Sequence, residues 1–206
     1  MNTVMQQQYI QPGFDDPVSS SQATFRRLLT AMSEPFSVHS IEPDLAAPDP
    51  IAPSAYALSL TLLDHHMKVM LSDELNSEAV LASLKFHCQA SFVEQSQQAD
   101  FIFCSEHQSP RLSELKLGSS RYPDQSATLV IQCDSFSDGP IWRAAGPGIE
   151  STVTRQCSAF NAALLDQLQV LHQQYRQQST GVDVIFCCAD QFFCIPRSTR
   201  LSREVN

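Results

Sequence analysis

Lysine is scarce in this 206-residue sequence: Lys68, Lys85 and Lys116 are the only three, against ten arginines. Most positive charge therefore sits on guanidinium groups, which suit bidentate contacts to phosphate or carboxylate and contacts at interfaces. Positive charge is also outnumbered, since 22 acidic residues leave a formal net charge of −9. A protein that grips nucleic acid needs a basic face to release counterions, so nucleic acid is excluded as the main partner. A small local anion site is not. No apolar run approaches the roughly 20 residues of a membrane-spanning helix. Met1–Gln11 is polar and glutamine-rich, without the apolar region of a secretory signal. The expectation is a soluble, cytoplasmic protein with no membrane partner.

Several chemical signatures are missing as well. There is no Gly-x-x-x-x-Gly-Lys-Ser/Thr and no Gly-x-Gly-x-x-Gly, which removes the phosphate loop and the dinucleotide fingerprint. No Gly-x-Ser-x-Gly elbow presents a nucleophile, and no catalytic set can be picked out from the residues. No Cys-x-x-Cys completes a tetrahedral shell; Cys104-x-x-His107 and His87-Cys88 are half-sites, so no metal is expected. His65-His66 falls in a turn and reads as a solvated pair. The seven cysteines (88, 104, 133, 157, 187, 188, 194) are odd in number and lie mostly in apolar runs. They read as buried free thiols in a reducing compartment.

What is present centres on Gly181–Thr199. Two apolar runs, Val184–Cys188 and Phe192–Ile195, flank a small polar break at Ala189, Asp190 and Gln191. Their length and content predict a hairpin, ended by Pro196. Because nearly every position is apolar, both faces of the ribbon should be covered. Adjacent Cys187 and Cys188 then point to opposite faces and cannot share an ion.

Upstream, Phe25, Leu28, Leu29 and Met32 mark one face of a helix capped by Ser19 or Ser20 and stopped before Pro35. Phe36, Val38 and Ser40 read as an edge strand. Prolines 43, 48, 50 and 53 impose a stiff loop. A buried helix Ala55–Leu63, a strand Met67–Leu71, a helix from Asn76 or Ser77 to His87, and strands Phe101–Cys104 and Ala127–Cys133 follow. A strand at Ile141–Ala144, a break at Gly146-Pro147-Gly148 and a helix Ala159–Gln177 complete the order, the helix burying Leu164, Leu165, Leu168, Leu171 and Tyr175. Residues 1–16 form a flexible arm, and 17–206 a single α/β domain. Its mixed sheet is sandwiched between two outer layers, with an antiparallel portion near the C-terminus.

Two places could hold an anion. The Gly146-Pro147-Gly148 turn can aim backbone N–H groups at a ligand, with Arg143 close by. Arg197 and Ser198 leave a strand at its carboxyl end, where open α/β sheets bind ligands, although a structural fastener is the competing reading for Arg197.

A family resemblance rests on segments spread from about residue 14 to residue 200. These are Phe25-Arg26-Arg27-Leu28-Leu29-Thr30-Ala31-Met32-Ser33-Glu34-Pro35, Ser83-Leu84-Lys85-Phe86-His87, Tyr122-Pro123-Asp124 before Ala127-Thr128-Leu129, Gly146-Pro147-Gly148-Ile149, Gly181-Val182-Asp183, and Ile195-Pro196-Arg197-Ser198-Thr199. Together they resemble the PhnH family, a subunit of the bacterial carbon–phosphorus lyase system. The family carries glycine where this chain has Phe36 and Ser126, both at positions that read as turns. The resemblance implies a fold like the large domain of pyridoxal-phosphate-dependent transferases, but without that cofactor. It also implies a homodimer in isolation and a larger complex with subunits G, I and J. That complex makes ribose 1-methylphosphonate 5-triphosphate from a nucleoside triphosphate and methylphosphonate. Within it the chain would be an adaptor, or would complete an anion site with Arg143, Gly146, Gly148, Arg197 and Ser198.

Overall fold

The computed structural model describes residues 9–41 and 45–204. Among these residues four α-helices, α1 (Pro17–Ser33), α2 (Pro53–Leu62), α3 (Glu78–Cys88) and α4 (Ala162–Gln178), are interspersed with ten strands. The strands are β1 (His39–Ser40), β2 (Lys68–Leu71), β3 (Ser91–Phe92), β4 (Phe101–Ser105), β5 (Thr128–Gln132), β6 (Ile141–Ala145), β7 (Val153–Gln156), β8 (Asp183–Cys188), β9 (Gln191–Ile195) and β10 (Arg200–Arg203). Seven of them form one sheet in the order β1-β9-β8-β5-β4-β2-β3. Its β3, β2, β4, β5 and β8 are parallel, and β9 runs against β8 as the return arm of the expected hairpin.

The alternation of side chains sorts the sheet's apolar residues into two cores. Ile102, Leu129, Ile131, Val184, Phe186 and Phe193 face α4 and a small second sheet. Phe103, Val130, Ile185, Cys187, Phe192 and Cys194 face α1, α2 and α3. Period-two alternation of wholly apolar strands requires cover on both sides, and both covers are there. The C-terminal ribbon is accordingly enclosed, with Val184, Phe186, Phe192 and Phe193 fully buried.

The second sheet corrects the expectation of a single mixed sheet. It has the order β10-β6-β7 and takes Ile141–Ala145 out of the main sheet. Strands β7 and β10 each hold a single apolar residue among polar ones and so gave no apolar run or alternation to read; each is fixed by antiparallel pairing to β6. Trp142 of β6 stacks on Phe160 with ring centroids 3.9 Å apart and planes 2° from parallel. That aromatic pair ties the small sheet to the core.

Helix α1 is present but differs in cap and face. It begins at Pro17, with Asp16 accepting from the Ser19 N–H at 3.1 Å, so the cap is Asp16 and not Ser19 or Ser20. Proline at the first turn loses no hydrogen bond and presets φ, which moves the start upstream. The buried flank is Ser20, Thr24, Leu28 and Ala31, while Phe25 and Leu29 remain 45% and 53% exposed. Small side chains let α1 approach α2 and β9 closely, and that closeness chose the flank over the bulkier apolar stripe. Helix α2 is buried almost all round as expected, though it starts at Pro53 with no side-chain cap. Helix α3 is capped by Ser77. Of the arm expected at residues 1–16, residues 1–8 lie outside the described residues, as does Pro43 of the proline loop. Within the remainder, Gln11 donates its N–H to Ser83 Oγ at 3.0 Å and its carbonyl lies 2.8 Å from His87 Nε2.

All seven cysteines are free and six are buried. Burial pushes the Cys88, Cys104 and Cys187 thiols up to about 12, so they stay protonated. Cys104 therefore packs in the core rather than serving as a thiolate ligand beside His107.

Candidate functional site

The two ends of the main sheet differ in chemistry. At the carboxyl ends of β2 and β3 a cavity of about 580 Å³ opens, lined by Ser72, Asp73, Asn76, Lys85, Glu94 and Gln108 among others. This is where open parallel sheets receive ligands, yet two carboxylates against one amine do not suit a polyanion. Further along the same edge, ligand atoms of Glu106, His107 and Asp134 lie within 4.8 Å of one another. Glu106 is already engaged there, accepting from Ser158 Oγ at 2.6 Å and from the Asp134 N–H at 3.3 Å.

Arg197 lies at the opposite end. Strand β9 is antiparallel to β8, so its carboxyl end sits beside the amino ends of the parallel strands, away from the usual ligand crevice. Here the guanidinium is clamped. Its Nε lies 3.2 Å from both Asp183 carboxylate oxygens, Nη1 donates to the Pro123 carbonyl at 2.8 Å, and Nη2 reaches Ser126 Oγ and Asp183 Oδ2. The backbone N–H of Arg197 also donates to Asp183 Oδ1 at 2.8 Å. With the side chains of Arg197 and Asp183 only 17% and 22% exposed, the pair is mostly desolvated and internally satisfied. Gly181 makes room for it: at φ +150, an added Cβ would stand 3.2 Å from Arg197 Cβ. Three of the segments on which the family resemblance rests, around 123, 183 and 197, thus meet in one structural fastener.

The other segments also meet each other. Gly148, at φ +80, lies so close to the end of α1 that a Cβ there would fall 1.9 Å from the Ser33 carbonyl oxygen. Phe36 adopts φ +71, a conformation that glycine takes without cost, and is nevertheless fully buried. Its carbonyl accepts from Arg155 Nε at 3.1 Å and Nη2 at 2.6 Å, and its ring stacks on Phe160 at 5.9 Å. Ser126, by contrast, has an ordinary extended backbone and uses its hydroxyl on Arg197. Arg143 projects from β6 and pairs with Glu204 at 2.8 Å, half-exposed.

Of the five residues singled out for anion binding, Gly146 and Ser198 are brought together, in the wall of a 470 Å³ pocket. Arg143, Gly148 and Arg197 are not among its lining residues. His172 and Arg176 of α4, Arg200 of β10 and Glu150 are. Sequence reasoning passed over His172 and Arg176 because they lie on the glutamine-rich outer side of α4. Nothing in the helical periodicity distinguishes a solvated flank from one roofed by a distant loop. Burial, and then the charges of Arg176 and Arg200, lower the pKa of the His172 imidazole against an opposing contact from the Arg197 backbone.

The family model for the bacterial phosphonate metabolism protein PhnH matches residues 12–202. The chain belongs to this family. Over 200 residues it is 28% identical to the alpha-D-ribose 1-methylphosphonate 5-triphosphate synthase subunit PhnH of Rhizobium meliloti, covering 97% of this chain and 98% of that one. It is also 28% identical over 183 residues to the putative C-P lyase subunit protein HtxG of Stutzerimonas stutzeri, covering 88% and 85%. No helix among the described residues is long and apolar enough to cross a membrane.

Proposed function

We propose that this chain is a subunit of a carbon–phosphorus lyase assembly in organophosphonate catabolism. Its part is that of an adaptor supporting synthesis of ribose 1-methylphosphonate 5-triphosphate from a nucleoside triphosphate and methylphosphonate. One observation carries the adaptor role: the polar groups of the family-like segments are used inside the fold, Arg197 on Asp183, Pro123 and Ser126 above all. Meanwhile Val18, Phe25 and Leu29 on α1 and Phe86 on α3 stay exposed, surface that suits subunit contacts. The assembly envisaged is a homodimer of the isolated chain and a cytoplasmic complex with subunits G, I and J.

The sheet order, with one strand reversed beside the edge strand β1, supports a likeness to the large domain of pyridoxal-phosphate transferases. The residues do not fit that cofactor. Lys68 starts β2, Lys116 is bound to Asp100 at 2.6 Å, and Lys85 reaches the carboxyl-end crevice from a helix, with Nζ 5.5 Å from the Phe92 ring centroid. Asp73 and Glu94 line that crevice where a phosphate-bearing aldehyde would need cations.

A second reading, direct contribution to an anion or nucleotide site, is favoured by the cationic pocket around Gly146 and Ser198. Tagged chain isolated from cells growing on methylphosphonate as sole phosphorus source should bring down the other lyase subunits. Recovery of the chain alone refutes the adaptor role. An Arg200→Gln variant that assembles normally but makes no ribosyl phosphonate would also defeat it, in favour of the site reading.

A further inference from the structure

The pocket beneath the Gly146 turn has an unusual combination of groups. The guanidinium groups of Arg176, in the last turn of α4, and of Arg200, opening β10, are exposed and make no ion pair or hydrogen bond among the described residues. In the same lining, the ring of His172 is buried at both nitrogens. The Arg197 backbone approaches the ring, yet neither nitrogen makes a hydrogen bond of normal geometry. That contact serves one nitrogen at most, which leaves the other with an uncompensated desolvation cost of a kind that native proteins rarely retain without use. Facing these three groups is a single carboxylate, Glu150, together with the hydroxyls of Ser198, Ser151 and Tyr175. Two guanidinium groups are donors only, and two of them against one carboxylate leave the space suited to an oxyanion. In a chain of net charge −9, such a concentration of uncommitted cations is a local exception.

We infer that this 470 Å³ pocket is a binding site for a tetrahedral phosphate or phosphonate group, with Arg176 and Arg200 as its charged ligands and His172 as a third donor. It deepens the second reading above and rests on that reading only for the source of the ligand. The binding chemistry depends on the pocket alone. The C-terminal dipole of α4 opposes an anion only weakly and within its last turn, and Arg176 offsets it there. The Arg197 backbone holds one imidazole N–H, so the other nitrogen donates to the anion once the ring is protonated. A bound dianion counteracts the charges of Arg176 and Arg200, so it raises the His172 pKa and binding takes up protons.

The test uses the full chain at low salt, with imidazole and amide NMR shifts followed during separate titrations with methylphosphonate and tripolyphosphate. The expected result is saturable binding of at least one of them, with the His172 signal moving toward its protonated position. Arg176→Gln and Arg200→Gln should each weaken binding about tenfold, the order expected for one charge-assisted contact. Arg121→Gln, which removes an exposed charge elsewhere, should leave it unchanged. Which anion binds names the source, phosphonate or the polyphosphate tail of a nucleotide. No saturable binding of either at millimolar concentration overturns the inference, as does binding that the Arg121 substitution weakens as much as the other two. Failure here leaves subunit assembly untouched, and failure of assembly leaves the binding measurement intact, so the two are separable.

Discussion

Arg197→Ala gives a direct measure of whether the arginine after the hairpin fastens the fold or waits for a ligand. The substitution removes every contact of the guanidinium and leaves Asp183 facing the Pro123 carbonyl and Ser126 with no counter-charge. Breaking a buried charge pair from one side costs about 3–5 kcal/mol. Partial exposure, 17% for Arg197 and 22% for Asp183, lets water restore some of this, so we expect about 3 kcal/mol. With a urea slope of roughly 2 kcal/mol/M, the midpoint should fall by about 1.5 M, and the melting temperature by about 6–12 °C. Arg143→Ala is the internal comparison. Arg143 itself is 47% exposed, so the loss should stay below about 1 kcal/mol. A change within about 0.5 kcal/mol for Arg197→Ala, the level typical of surface substitutions, would refute the fastener argument and return Arg197 to the pool of ligand residues.

Three further outcomes follow from the same geometry. At Phe36, both Ala and Gly should lose about 3–5 kcal/mol of core burial, but Gly should be the more stable by about 1 kcal/mol because φ is +71; chemical denaturation showing Ala the better would contradict the backbone conformation. Gly148→Ala should cost more than about 2 kcal/mol, since its Cβ cannot coexist with the Ser33 carbonyl, and a wild-type melting curve would disprove the close approach. Stability should fall as pH rises above about 9, because Cys88, Cys104 and Cys187 titrate near 12 when folded. The unfolded chain then binds fewer protons than the native one, a loss of about 1.4 kcal/mol per thiol per pH unit between the two values. A urea midpoint that is flat from pH 8 to 10 would refute it.

Much of the fold could be read from local pattern. The two apolar runs after Gly181 give the hairpin, Pro35 ends α1, and the runs at Phe101 and Thr128 give central strands, because period and punctuation are properties of short segments. The cap of α1 could have been found too, since Asp16-Pro17 is a stronger start signal than the serines that follow. Strands β7 and β10 were out of reach: each is polar at all but one position, and only pairing with β6 makes them strands.

The sequence by itself decided that this is an α/β chain whose strands are covered on both faces, and which family it resembles. Those follow from residue order and need no knowledge of distant neighbours. Tertiary structure decided that β8 runs parallel to β5, and with it that Arg197, at the end of the return arm, sits at the amino ends of the parallel strands, held by Asp183. It also decided that His172, Arg176 and Arg200 surround one space although β10 is remote from α4 in sequence. Direction and proximity arise from how elements pack, and no periodicity within one segment encodes what a loop from elsewhere will lay across it.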